Sequence, residues 1–277
     1  MSEPAMTRVA VCQTEPVLLD LAANVRHTTE TVRGCVARGA DVIVLPELAT
    51  SGYLFDGADE VRSMALPLTH SVFDGWRAAL GEGDAVLVAG FPEAGASGKV
   101  YNSAVVLDRA GIRAVYRKTH LWHREKRFFT PGDHPPPVVE TVHGRIGVLV
   151  CYDLEFPEMP RSLALAGADL IAAPTNWSRA EIRSGTEPPQ VLVARAAARA
   201  NHVFLAACDR RGTERAQPFT GGSIIIDPDG WPLATPAADH IAIADLPLPA
   251  ARDRALSPVN HVFTDRRPHL YALNTPS

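Results

Sequence analysis

Apolar positions along the chain fall into short runs separated by segments with helical spacing. Residues 8–13, 41–45 and 85–91 read as buried strands, and the segments between them can hold helices: one from Asp20 or Asn24 to the Gly39 stop, another over residues 69–80. A β-α-β-α-β order calls for α/β layering. The texture then changes. Residues 100–107 and 112–118 alternate in polarity around Asp108-Arg109-Ala110-Gly111, and residues 137–142 and 146–150 do so around His143-Gly144. Both are hairpin signals, so the sheet is expected to be mixed. Beyond them come a helix over 156–167, a strand over 169–173, a helix over 189–201 and a strand over 202–208. Residues 223–226 and 241–245 are expected to close the sheet around the turn Asp227-Pro228-Asp229-Gly230.

One internal echo stands out. Arg38-Gly39-Ala40-Asp41 followed by Val42 to Pro46 resembles Ala166-Gly167-Ala168-Asp169 followed by Leu170 to Pro174. Each is a helix end, a glycine and a buried strand that stops at proline, which fits two similar half-units packed face to face. No low-complexity linker divides them. Residues 1–250 therefore read as one domain. Residues 251–277 read as a polar tail, either a frayed end or an arm at a subunit interface.

Composition narrows the class. Of 277 residues, 46% are apolar, and no stretch approaches a membrane-spanning length. The start, Met1 to Thr7, has neither a basic region nor an apolar signal core, so a cytoplasmic protein with no membrane partner is expected. A formal charge of -4, with the arginines scattered, leaves no footprint for nucleic acid. Cys12, Cys35, Cys151 and Cys208 lie far apart with no CxxC spacing, which argues against a zinc ribbon, a redox pair or a disulfide framework. Lysine is scarce. Only Lys99, Lys118 and Lys126 occur, so a position that keeps lysine is a candidate for a compact ammonium rather than a planar fork.

Candidate chemistry centres on Cys151, which stands where the strand 146–150 gives way to the acid-rich, proline-containing helix start Tyr152-Asp153-Leu154-Glu155-Phe156-Pro157-Glu158. A thiol at such an elbow is lifted to the sheet edge where open α/β sheets bind substrates. The free N–H groups of the next turn are expected to favour a thiolate and to hold an oxyanion. Glu47 follows a buried strand at the same edge, where a carboxylate is costly without a partner. Lys118 ends a hairpin strand, and Glu125 follows in an aromatic, irregular stretch.

Together Pro46-Glu47, Arg117-Lys118-Thr119-His120-Leu121 and Cys151-Tyr152-Asp153 with Phe156-Pro157-Glu158 resemble the Glu-Lys-Cys motifs of the nitrilase superfamily of carbon-nitrogen hydrolases. The segment from Arg124-Glu125-Lys126 to Phe129-Thr130-Pro131-Gly132-Asp133 resembles the one that carries the family's second glutamate. Tyr101-Asn102-Ser103 and Gly221-Gly222-Ser223 also match. The resemblance spans the chain from its first strand to about Asp245. It implies a four-layer α-β-β-α sandwich with mixed sheets that pairs into a homodimer or higher homo-oligomer, with no metal and no organic cofactor. It implies Glu47 as general base, Cys151 as nucleophile, Lys118 as oxyanion stabiliser, and Glu125 as a residue that orients the substrate nitrogen or holds Lys118.

Tyr152-Asp153 after the cysteine, rather than Trp-Glu, resembles the amide-hydrolysing branches more than those that attack nitriles. A small aliphatic or amino-acid-derived primary amide is the expected substrate, with N-carbamoyl compounds second and nitriles behind. Tyr53, Trp122, Tyr152, Asn176 and Trp177 lie on loops at the expected catalytic edge and are candidates to line the pocket. Two rivals are a metal hydrolase using His120, His123 and Glu125, and a binding protein on the same fold.

Overall fold

The valine-rich runs become strands that are buried on both faces. In β1 (Thr7–Cys12) Val9 and Val11 enter one core while Ala10 and Cys12 enter another, and β2 (Val42–Val44) divides Val42 and Val44 from Ile43 in the same way. Two-sided burial is why both read as unbroken apolar runs. Between them lies α1 (Leu21–Ala37), which starts where the Asp20 side chain accepts from Ala23 N at 2.9 Å and stops before Gly39, at φ +75°. A short α2 (Ala58–Met64) and α3 (Ser71–Leu80) follow, and Trp76 Nε1 of α3 donates to Thr28 Oγ1 of α1 at 3.0 Å. The half closes with β3 (Val86–Ala94), β4 (Val100–Asp108) and β5 (Gly111–Arg117).

The computed structural model describes residues 5–179 and 186–271. Its second half runs β6 (Val138–Thr141), β7 (Gly144–Val148), α4 (Glu158–Leu165), β8 (Leu170–Pro174), α5 (Pro189–Asn201) and β9 (Phe204–Cys208). A two-residue hairpin, β10 (Thr213–Glu214) with β11 (Gln217–Pro218), precedes β12 (Ile224–Ile226), β13 (Pro232–Ala234) and β14 (Ile241–Leu246).

The strands form two six-stranded mixed sheets, ordered β14-β1-β2-β3-β4-β5 and β13-β12-β9-β8-β7-β6. One core fills the space between the sheets and continues beneath α5, and a second lies between the first sheet and α1 with α3. The result is the four-layer α-β-β-α sandwich that the resemblance implies. The turn at residues 227–230 joins β12 to β13. β14 crosses instead to the other sheet and pairs antiparallel with β1, from Thr7↔Leu246 to Cys12↔Ile241. The expectation that 223–226 and 241–245 close a single sheet is therefore corrected: register with β1 decides where β14 goes, and local turn chemistry carries no trace of it.

The tail returns to the body. Arg254 donates to Ala168 O at 2.7 Å and Asn201 O at 3.1 Å, Arg252 pairs with Asp169 at 2.9 Å, and β15 (Ala255–Ser257) forms a hairpin with β16 (Asn260–His261). Residues 272–277 of the tail, and 1–4 of the start, lie outside the described residues. Among the described residues, no helix is long and apolar enough to cross a membrane.

Candidate active site

β7 ends at Val148, and the chain enters a tight turn over Cys151–Glu155 with Cys151 at φ +48°. That region is uphill for a residue with a Cβ, so surroundings must hold it. Asp153 is the buried hub that does so. Its Oδ2 accepts from Val150 N at 3.2 Å and Tyr116 Oη at 2.8 Å, and its Oδ1 accepts from His120 N at 3.0 Å and lies 2.8 Å from His120 Nδ1. The His120 ring in turn stacks on Phe156 at 3.6 Å. The elbow is thereby tied to the segment that carries Lys118.

Lys118 is completely buried, and its main chain is clamped: its N–H donates to Asn102 O at 2.8 Å, and Gly132 N donates to its carbonyl at 2.9 Å. A Cβ at Gly132 would lie 2.1 Å from Arg117 O, so only glycine lets the two segments meet. The ammonium reaches Glu47 Oε1 at 2.7 Å and Glu125 Oε1 at 2.8 Å. Asn102 Nδ2 donates to Glu47 Oε1 at 2.7 Å, Tyr53 Oη donates to Glu125 Oε1 at 2.6 Å, and Trp122 N donates to Glu125 Oε2 at 3.3 Å. Glu47 itself is packed from behind, because a Cβ at Gly90 would sit 2.5 Å from Glu47 Cα. Its second carboxylate oxygen, Oε2, has no hydrogen-bond partner among the described residues.

Charges in this cluster are strongly coupled. Burial and then Glu47 push the Cys151 thiol well above its ordinary range, against the pull of Lys118 and of an N–H from the Asn176 backbone. Burial thus works against the thiolate that the turn's N–H groups are expected to favour. Burial also raises Glu47 above the usual carboxylate value, although Lys118 opposes it. Burial works against the Lys118 charge, but Glu125 and Glu47 outweigh it and hold the ammonium protonated. A buried thiol, a carboxylate of raised basicity with a free oxygen, and a fixed cation are groups that can serve as nucleophile, proton acceptor and anion site.

The expected pocket residues divide. Trp122 is 46% exposed and meets Tyr152 edge-on at 4.8 Å. Tyr53 faces Glu125 with its hydroxyl and, with Trp122, Phe129 and Ser178, lines a cavity of about 90 Å³. Asn176 is buried, and its Nδ2 donates to Glu47 O at 2.9 Å. Trp177 is buried in the core that continues beneath α5, its N–H held by Asp209 Oδ1 at 2.8 Å. A larger cleft of about 540 Å³ between α4 and α5 contains none of these residues. The metal triad does not assemble: His120 is turned onto Asp153 and Glu125 onto Lys118, and no group of three metal-ligating side chains converges among the described residues. Sequence reasoning gave no role to Tyr116 or Asp209, and it met Asp153 only as part of the cysteine motif. Asn102 was visible only as part of a matching tripeptide.

The carbon-nitrogen hydrolase family model matches residues 8–255. A nitrilase of Pyrococcus abyssi is 34% identical, covering 96% of this chain and 99% of its own, and an (R)-stereoselective amidase of a Pseudomonas species is 34% identical over 84% and 83%. The crystal structure of an amidase from Nesterenkonia sp. superposes with a TM-score of 0.78 at 27% identity, covering 97% and 96% of the two chains. A Glu-to-Gln variant of that amidase carries acrylamide added at its active-site cysteine. Matched by the family model over most of its length and by an amidase in its fold, this chain belongs to the carbon-nitrogen hydrolases of the nitrilase superfamily, in the amidase-like branch.

Proposed function

We propose that the protein hydrolyses a small aliphatic or amino-acid-derived primary amide to the acid and ammonia, through a thioester on Cys151. The observation that carries this reading is the buried Glu47–Lys118–Glu125 cluster, in which Glu47 keeps one oxygen unpartnered while its other oxygen is fixed by Lys118 and Asn102. As Cys151 Sγ attacks the amide carbon, its proton passes to Glu47 and the carbonyl oxygen becomes an oxyanion. Lys118 and the backbone N–H after Cys151 stabilise that charge where it develops. Glu47 returns the proton to the nitrogen, the C–N bond breaks and ammonia departs. Water then gives a proton to Glu47 while attacking the thioester, and the acid leaves as the thiol is restored.

Glu125 supports this cycle by sharing Lys118 with Glu47, and the neutral Tyr53 hydroxyl braces Glu125. The raised Glu47 value suits a group that must take a proton from a thiol and later give one up. Tyr53 and Trp122 line a small cavity beside Glu125. We place the enzyme in the cytoplasm and expect it to act as a homo-oligomer.

The test is ammonia release from a panel of small primary amides, N-carbamoyl compounds and nitriles, with wild type and Cys151→Ala side by side. Release by the wild type alone, led by primary amides, is expected. Faster turnover of carbamoyl compounds or nitriles would keep the nucleophile and overturn the substrate class. Equal release by Cys151→Ala would overturn the mechanism.

A further inference from the structure

A second buried ion pair lies outside the cluster yet touches it. Arg210 and Glu214 are 0% and 5% exposed, and their side chains are directly hydrogen-bonded. Burying two charges is costly unless their remaining hydrogen-bonding capacity is met. Here a loop of the active site meets it. Glu214 Oε2 accepts from Tyr53 N at 3.0 Å and from Leu54 N at 2.9 Å. Arg210 spends its other donors on Pro16 O at 3.0 Å and Arg211 O at 3.2 Å, and its guanidinium covers the Phe219 ring at 4.1 Å. Phe219 in turn meets the Tyr53 ring edge-on, with centroids 6.1 Å apart. The pair therefore grips Tyr53 twice, through its backbone and through its ring.

The fit leaves little slack. Gly52, at φ +77°, precedes Tyr53, and a Cβ there would come within 2.6 Å of Glu214 Oε1. At the far end of Tyr53, the phenol donates at 2.6 Å to Glu125 Oε1, the same oxygen that receives Lys118. We propose that Arg210 and Glu214 form a positioning pair, which sets the Tyr53 phenol on Glu125 and thereby fixes the direction of the Lys118 ammonium. Neither residue touches the reacting atoms; both act through Tyr53. The inference rests on the amidase reading above, in which Lys118 stabilises the oxyanion.

The experiment is a double-mutant cycle with Glu214→Gln and Tyr53→Phe, singly and together, read in two ways. One readout is kcat and KM for the best amide per titrated Cys151; the other, which needs no substrate, is the pH dependence of Cys151 alkylation by iodoacetamide. Each single variant is expected to lower kcat between about tenfold and a hundredfold with little change in KM. Each should also move the alkylation profile toward higher pH, as the thiol loses part of the Lys118 charge. The double variant is expected to match Tyr53→Phe alone in both readouts. Additive losses, or an unchanged kcat and alkylation profile in folded Glu214→Gln, would overturn the positioning role. If Glu214→Gln fails to fold, Arg210→Lys takes its place in the same cycle. Coupled alkylation profiles in an enzyme that releases no ammonia would uphold the pair and overturn the amidase reading.

Discussion

The two halves of the molecule are built on one plan and differ where it matters. Each sheet has an antiparallel edge strand, three parallel strands and an antiparallel return of two: β14, then β1-β2-β3, then β4-β5 in the first, and β6, then β7-β8-β9, then β12-β13 in the second. Ahead of the middle strand, Asp41 accepts from Arg8 N at 2.7 Å, and Asp169 accepts from Arg145 N at 2.9 Å. Just past those middle strands the halves meet, where Glu47 N donates to Thr175 O at 3.4 Å and Asn176 Nδ2 donates to Glu47 O at 2.9 Å. The equivalent strand ends then diverge. β1 runs into Gln13 and Thr14 as ordinary chain, whereas β7 delivers Cys151 at φ +48°. Glu47, Lys118 and Glu125 all come from the first half. The scaffold is duplicated; the chemistry requires the copies to differ.

The largest expected effect breaks the second half's contribution alone. Cys151→Ala should abolish ammonia release and leave thermal unfolding close to wild type, because the change removes a single sulfur. Turnover in the variant would show that the elbow is not the nucleophile site. Removing the first half's cation comes next. Lys118→Arg should lower kcat by about a hundredfold or more, since a planar fork cannot occupy the place of a compact ammonium between two carboxylates. Lys118→Met should in addition lose roughly 3–5 kcal/mol of stability, measured by urea unfolding, because Glu47 and Glu125 are left buried without their cation. A Lys118→Met protein as stable as wild type would mean that the carboxylates do not depend on it.

The paired aspartates sharpen the comparison with a smaller effect. Asp169 has a fully buried side chain and accepts from Arg252 Nε at 3.1 Å and Nη2 at 2.9 Å as well as from Arg145 N, whereas the Asp41 side chain is 33% exposed. Asp169→Ala should therefore cost about 2–3 kcal/mol and Asp41→Ala only about 1 kcal/mol, read from urea midpoints. Equal losses would indicate that the tail's Arg252 adds nothing to the second half.

Legibility of the fold and site followed the range of the interactions involved. Helix α5 was readable close to its observed bounds, Pro189–Asn201, because its apolar spacing is local; the left-handed turn at His202, which delays the next strand to Phe204, was not. The strand ends bearing Glu47, Lys118 and Cys151 were readable for the same reason. Sheet membership was not, since β14 pairs with a strand at the opposite end of the sequence. Tyr53 was expected to line the pocket; folding commits its hydroxyl to Glu125, a contact that no local signal announces. The hub role of Asp153 was hidden because its partners Tyr116, His120 and Val150 are gathered only by folding. A motif marks a residue's position; which neighbour holds it there is a property of packing.

The gentlest change probes the charge balance itself. Glu47 is raised by burial, lowered by Lys118, raised again by Glu125, and lowered by its hydrogen bonds with Lys118 and Asn102. The proposed mechanism needs Glu47 ionised, so the rate should fall as pH drops through a value above the ordinary carboxylate range. Asn102 touches Glu47 at 2.7 Å and carries no charge, so Asn102→Leu removes one stabiliser of the anion and leaves both formal charges in place. The sign follows directly: losing a lowering contribution raises the Glu47 value further, and the acid limb of kcat/KM should move to higher pH. The alkaline side should move less, because burial, Glu47 and Lys118 lead the influences on Cys151 and Asn102 bears on it through Glu47. A shift of the acid limb to lower pH would mean that Glu47 is not the group whose ionisation limits the reaction, and the base would then have to be sought in Glu125.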